Sequence, residues 1–364
     1  MKFFYKVGKK TYHNKLQSIL EHQKSNQPIE LITPYVDSNF SIDPNQSFEE
    51  LIGNHLKELR EKYSIIKLYY SGGIDSHAIL HCSLKYGVHI DEIICLKSGI
   101  GPADFEIDQF AMPRLVKLRN QFPKTQIIIK TITMDQYYDW YKQGITQEKI
   151  ERGACGTHNY LRLHFNLNFC MLDSNKDVIH LRGLEKPKII KHQNEFYSYI
   201  IDEDIEPHVN NYQFFSSDLS IQKKQCHLWM EKFRTVDINK ELDVWKYQKI
   251  WNDSLYGFLP SDINFPQKNL FFEIDKNYIE HKGKKLFFNN LKEKYALDWC
   301  KKNEPNILTL WFEQNEMLKD MTQYKWWNND QPEFKAIGVF SKFYNLNKNS
   351  VKSVDDLYPQ GFSQ

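Results

Sequence analysis

Nothing in this sequence pairs its cysteines. Six are present, Cys82, Cys95, Cys155, Cys170, Cys226 and Cys300, and no two form a C-x-x-C unit. That spacing argues against a zinc ribbon or a cysteine-held iron–sulfur centre. Several sit inside apolar runs, as buried free thiols do, so a reducing compartment is expected. An excess of one charge is also missing. The chain carries 48 basic and 46 acidic side chains, a formal net charge of +2, so there is no global basic field for coating nucleic acid or a membrane surface. No apolar run approaches the roughly 18 residues of a membrane span. The opening MKFFYKVGKK breaks its apolar residues with charges, so a signal peptide is not expected either. The expectation is a cytoplasmic protein with no membrane partner. Repeats and low-complexity tracts are absent from the sequence as well.

What the chain does have is length. Its 364 residues suffice for a full-sized core with one or two satellite units. Residues 1–45 read as a small cap: KFFYKV alternates as a strand does, NKLQSILEHQKS has helical spacing, and PIELITPYV reads as a second strand. Ser47 then opens a helix in SFEELIGNHLKELREKY, with Glu50 three residues on as a capping box.

From Ser64 strands and helices alternate. SIIKLYY, IDEIICLKS, TQIIIKTITM and DVIHLRG read as strands. DSHAILHCSLKY, AMPRLVKLRNQF and THNYLRLHFNLNFCML read as helices, the first of them stopped at Gly87. This is the pattern of an α/β fold with a doubly wound, mostly parallel sheet, expected over residues 46–235. Beyond that the alternation stops. Trp245, Trp251, Trp299, Trp311, Trp326 and Trp327 are spread among charged segments, and residues 236–364 are expected to form a mainly helical, aromatic-rich region.

The stretch LYYSGGIDSHAIL, residues 68–80, carries the chemistry. A strand runs into Ser71, Gly72, Gly73, Ile74, Asp75 and Ser76, and a helix follows. Ligands of such sheets bind at the carboxyl ends of strands. The glycines let backbone approach a ligand closely, and the N–H groups at the helix start favour an anion. Ser71 and Ser76 add hydroxyl donors. Asp75 cannot hold a phosphate, but it can hold the magnesium that accompanies one. There is no Walker A pattern and no G-x-G-x-x-G.

Ser-Gly-Gly-x-Asp-Ser after an apolar strand resembles the PP-loop of the N-type ATP pyrophosphatases, which include asparagine, GMP and NAD synthetases and tRNA-modifying enzymes. The resemblance implies an adenine-nucleotide alpha-hydrolase (HUP-like) fold, with ATP and Mg2+ as cofactors. A substrate oxygen would attack the α-phosphate and pyrophosphate would leave. An amine, ammonia or a sulfur donor would then attack the adenylated product. Residues 1 to about 235 resemble, more closely, stand-alone asparagine-synthase-like proteins of large tailed phages, a group with a similar N-terminal cap and Lys-Pro-basic run.

The same resemblance suggests further positions. Asn159 and Arg162 in THNYLRL stand where relatives place ATP-contacting residues, and Arg162 suits a surface ion pair equally well. After the fourth strand, LRGLEKPKII keeps the glycine as Gly183. Glu185 would be a second magnesium ligand, and Lys186 and Lys188 would put positive charge on pyrophosphate; a solvated charged turn is the alternative for all three. Cys155, between glycines before a helix, could carry sulfur or an acyl group as in the thiouridylases, or be an ordinary thiol. Gln225 and His227 begin another helix, where His227 reads as a base or, more simply, as a satisfied structural histidine.

No nucleophilic cysteine follows the initiator methionine and no G-x-C-x-G occurs, so no glutaminase is expected. The leading reading is an AMP-forming ligase or amidotransferase-like enzyme acting on a small carboxylate or a nucleobase carbonyl. A nucleobase- or tRNA-modifying enzyme would want a basic track, for which Arg114, Lys117, Arg119 and Lys124 are candidates and a solvated helix face the simpler account. A non-catalytic ATP sensor is the third reading.

Overall fold

The structure is a computed structural model that describes residues 3–13, 15–97, 107–131, 175–183, 187–200, 211–234, 255–260 and 339–357. The expected helix over THNYLRLHFNLNFCML, the six tryptophans named above, and Cys155, Asn159, Arg162, Glu185 and Lys186 all lie outside those residues.

At the centre is a five-stranded parallel sheet of β4 (Ile65–Tyr69), β5 (Glu92–Lys97), β6 (Gln126–Thr131), β7 (Val178–Arg182) and β10 (Asn211–Gln213). Their spatial order is β10-β7-β4-β5-β6, and every neighbouring pair is parallel. The first strand by sequence, β4, is therefore central. The chain moves outward from it through β5 and β6, then returns to its other side with β7 and β10. Between β4 and β7 the direction of winding reverses, and a crevice at the carboxyl ends is expected there.

Alternation along β4 sorts its two faces. Ile66 and Leu68 are buried and share the main core with Ile79, Leu80, Ile93, Cys95, Ile179 and Leu181. Helices α2 (Phe48–Lys62) and α3 (Ile74–Lys85) supply its other layer, α2 through Phe48, Leu51, Ile52, Leu56 and Leu59. Helix α2 starts where the sequence says. Ser47 accepts from the Glu50 amide at 3.2 Å while the Glu50 carboxylate accepts from the Ser47 amide at 2.8 Å, two donors satisfied reciprocally. Helix α3 ends in Gly87 at φ +68°. Helices α1 (Lys15–Ser25) and α5 (Phe214–Ser217) are shorter, and α6 (Leu219–Arg234) completes this core with Ile221, Trp229 and Phe233.

The opposite face of β4 is more polar. Lys67 pairs with Glu92 at 3.4 Å. Lys67 lies beside His180 in register, and Tyr69 lies beside Arg182.

A second core joins distant parts of the chain. Strands β1 (Phe4–Val7), β2 (Lys10–Tyr12) and β3 (Ile29–Ile32) form a small antiparallel sheet in the order β2-β1-β3. An antiparallel hairpin of β8 (Lys188–His192) and β9 (Glu195–Tyr199) pairs with β11 (Phe343–Asn345), which pairs with β12 (Val351–Lys352). Tyr5, Val7, Ile29 and Leu31 from the N-terminal sheet pack with Ile190, Tyr197, Tyr199, Phe340, Phe343 and Leu357, and the Leu31 amide donates to the Phe340 carbonyl at 3.3 Å. The expected N-terminal cap thus shares its interior with the far end of the chain. The C-terminal region was expected to be helical, but its described end is the strand pair β11–β12 and one four-residue helix, Val354–Leu357. The remainder of that expectation falls on residues outside the described ones. No helix among the described residues is long and apolar enough to cross a membrane.

Candidate functional site

The chain leaves β4 at the centre of the sheet and turns through Ser71, Gly72 and Gly73 into α3. Gly72 has φ +81°, and a Cβ there would meet the Ala111 backbone nitrogen at 2.8 Å. Glycine is therefore required twice, by the left-handed backbone and by the close approach. Ala111 ends a turn of π-helix, Ile107–Ala111, that leads into α4 (Met112–Leu118). This wide turn brings α4 against the loop.

At the N-terminus of α3, Gly73 is the cap residue and no side chain caps the helix. The first-turn N–H groups and the positive end of the helix dipole meet there. Ser71 Oγ accepts from the Gly73 amide at 3.2 Å, Ser76 Oγ donates to the Gly73 carbonyl at 3.1 Å, and the two hydroxyls lie 3.4 Å apart. Gly183, just past β7, closes the other side. A Cβ on it would meet Ser76 N at 2.7 Å and the Asp75 carbonyl carbon at 2.9 Å. Two backbones therefore touch at the point where the sheet reverses its winding, and an anion held by the α3 amides would have glycine on both flanks.

Three further side chains brace this turn. Arg114 of α4 donates to the Gly72 carbonyl at 2.8 Å and to the Tyr70 hydroxyl at 3.0 Å. Tyr70 Oη is 2.9 Å from His77 Nδ1. The Tyr70 hydroxyl thus bridges Arg114 and His77. Burial pushes the His77 imidazole down to about 3, helped by the charges of Arg114 and His81. Burial raises the Tyr70 phenol to about 12, with Arg114 opposing. Both groups are thus neutral at physiological pH, and Arg114 brings a fixed positive charge to the loop.

Asp75, the expected magnesium ligand, accepts a hydrogen bond from the phenol of Tyr256. Tyr256 is buried against Phe48, Phe215 and Phe258. Burial, then the Asp75 charge, pushes its phenol well above the usual range, so it stays a donor. Arg182, the last residue of β7, is 7 % exposed, with its guanidinium 5.2 Å from the Tyr69 ring centroid. It lies one residue before Gly183, beside the loop.

The structure thus gathers Ser71, Gly72, Gly73, Ile74, Asp75, Ser76 and Gly183 into one place. Lys188 opens β8 in the four-stranded sheet, opposite Tyr199. His227 is the satisfied histidine, its Nε2 2.9 Å from the Phe40 carbonyl. Of the four basic-track candidates, Arg114 lies on the loop rather than on a solvated face, while Lys117 and Arg119 are exposed, Arg119 donating to the Thr125 carbonyl at 2.5 Å. Cys82, Cys95 and Cys226 are buried free thiols, each raised by burial.

Sequence reasoning missed Arg182 as a site residue although it adjoins the glycine that was singled out. It missed Tyr256 because 181 residues separate it from Asp75 and no motif surrounds it. Comparison with protein-family models, with curated proteins and with solved structures finds no match to this chain.

Proposed function

We propose that this chain is an ATP-dependent, AMP- and pyrophosphate-forming enzyme of the N-type ATP pyrophosphatase kind, on a doubly wound HUP-like sheet. One observation carries the reading. Gly183 presses backbone to backbone on the uncapped start of α3, at the reversal of a β6-β5-β4-β7-β10 parallel sheet. Such a crevice suits the triphosphate of a nucleotide.

In this reading Ser71, Ser76 and the first-turn amides of Ile74, Asp75 and Ser76 bind the β- and γ-phosphates. Asp75 is the described residue that would hold Mg2+, with Tyr256 fixing one of its oxygens. The ion would neutralise charge that develops on the departing pyrophosphate. Arg114 keeps the Gly72 carbonyl turned away from the anion, so that the loop presents donors. An oxygen of the acceptor attacks the α-phosphorus and the α–β bridging oxygen leaves with pyrophosphate. The acceptor is a small carboxylate or a nucleobase carbonyl.

The test is product identity. Purified protein with ATP and Mg2+ is offered amino acids, nucleosides and tRNA, and pyrophosphate and AMP are measured. Release of both, lost in Asp75→Ala, is expected. Release of ADP and phosphate instead would overturn the chemistry. Tight ATP binding without release for any acceptor would favour a nucleotide sensor.

A further inference from the structure

We propose that His55, Glu58 and Asp218 form a binding site for one first-row divalent transition ion, of which Zn2+ is the type. Residues 55 and 58 share one face of α2 at i and i+3. Asp218 comes from the other side, immediately before α6. His55 Nδ1 lies 3.2 Å from Glu58 Oε2 and 3.6 Å from Asp218 Oδ2, and all three ligand atoms fall within 4.8 Å of one another. Ligands about 2.0–2.1 Å from a tetrahedral zinc stand roughly 3.3 Å apart, close to the two spacings measured to His55. The donor set of one imidazole nitrogen and two carboxylate oxygens suits zinc and its neighbours better than magnesium, which prefers oxygen alone.

The surroundings are those of a built site. His55 is 8 % exposed, its ring stacked on Tyr212 and tilted against Phe214. Its far nitrogen, Nε2, is 2.9 Å from the Tyr212 hydroxyl. With Nε2 taken up by Tyr212, Nδ1 is the nitrogen that faces both carboxylates. Asp218 spends its other oxygen on the Ile221 amide at 2.7 Å. Two of the three ligands are therefore oriented by outer partners, as metal ligands are. The Glu58 side chain is 70 % exposed, which leaves an entry path and an open coordination position. The ion would staple α2 to the start of α6. The cluster draws on none of the residues placed in the loop site.

Full-length protein, stripped with chelator and dialysed, is titrated with Zn2+ by calorimetry and by thermal unfolding. One Zn2+ per chain is expected, with an unfolding temperature that climbs with Zn2+ concentration. A large excess of Mg2+ should not displace it. Glu58→Gln is mostly exposed and Asp218→Asn keeps a residue that caps α6, so both variants fold. Each should weaken Zn2+ binding by about ten- to a hundredfold or more. No saturable binding in the wild type, or unchanged affinity in both variants, overturns the site.

Discussion

The phenol of Tyr256 donates its hydrogen bond to the carboxylate of Asp75 across 181 residues of chain. A residue of the C-terminal region thereby orients the acid of the loop. Removing the hydroxyl while keeping the ring isolates that role. In Tyr256→Phe the Mg2+ concentration needed for half-maximal pyrophosphate release should rise about ten- to a hundredfold, the usual cost of losing an outer partner of a metal ligand. The fold should survive on the aromatic packing. Mg2+ titrations that superimpose for Tyr256→Phe and wild type would rule out the positioning role and leave the catalytic reading intact.

Arg114 acts on the loop from behind. Its guanidinium holds the Gly72 carbonyl and the Tyr70 hydroxyl, and hydrogen bonds from charged groups are worth about 1.5–3 kcal/mol each. Arg114→Ala frees that carbonyl to turn toward the anion. The dissociation constant for ATP, measured by calorimetry, should rise roughly ten- to a hundredfold. Arg114→Lys, which keeps a charged donor, should recover part of the loss. A residue that only filled space would not be rescued by lysine more than by methionine.

Gly183 and Gly87 offer a matched pair. An alanine Cβ at position 183 would lie 2.7 Å from Ser76 N and 3.0 Å from Ser76 Cα, backbone that moves only with α3 itself, whereas nothing lies within 4 Å at position 87. Gly183→Ala should cost about 1–3 kcal/mol through forced displacement. Gly87→Ala, at φ +68°, should cost about 1–2 kcal/mol through backbone strain alone. Denaturant curves would show both losses, but only Gly183→Ala should also lose ATP affinity. Equal ATP affinity in the two variants would mean that the contact between β7 and α3 does not shape the anion site.

The loop, its flanking strand and helix, and the Ser47–Glu50 capping box were legible because each is a local pattern with a local physical cause. Turn chemistry, capping and alternation need no knowledge of the rest of the chain. The strand pair β11–β12 was not legible. It forms on β9, more than a hundred residues earlier, and the Phe343–Tyr199 stack at 4.8 Å comes from two segments whose short apolar runs resemble helix and strand equally. Arg114 was hidden for a related reason. Its spacing within AMPRLVKLRN fits a solvated face, and only the π-turn ahead of α4 rotates it onto Gly72. Tyr256 had no signal of either kind.

His77 makes a prediction about pH. Its imidazole is held at about 3 in the folded protein, first by burial and then by Arg114 and His81, against the ordinary 6.5 of a solvated histidine in the unfolded chain. Between those values the unfolded chain binds a proton that the native state refuses. More protons bound in the unfolded state means stability that rises with pH. The contribution is thus complete above about 6.5 and is lost as pH falls toward about 3, with a slope approaching about 1.4 kcal/mol per pH unit. His77→Gln keeps a hydrogen-bonding side chain beside the Tyr70 hydroxyl but does not titrate. Urea unfolding of both proteins at about pH 7.5 and about pH 5 separates this histidine from every other titrating group. The wild type should lose more stability on acidification than the variant does, by a margin that widens as pH drops. Parallel pH profiles for the two proteins would show that His77 is not held neutral.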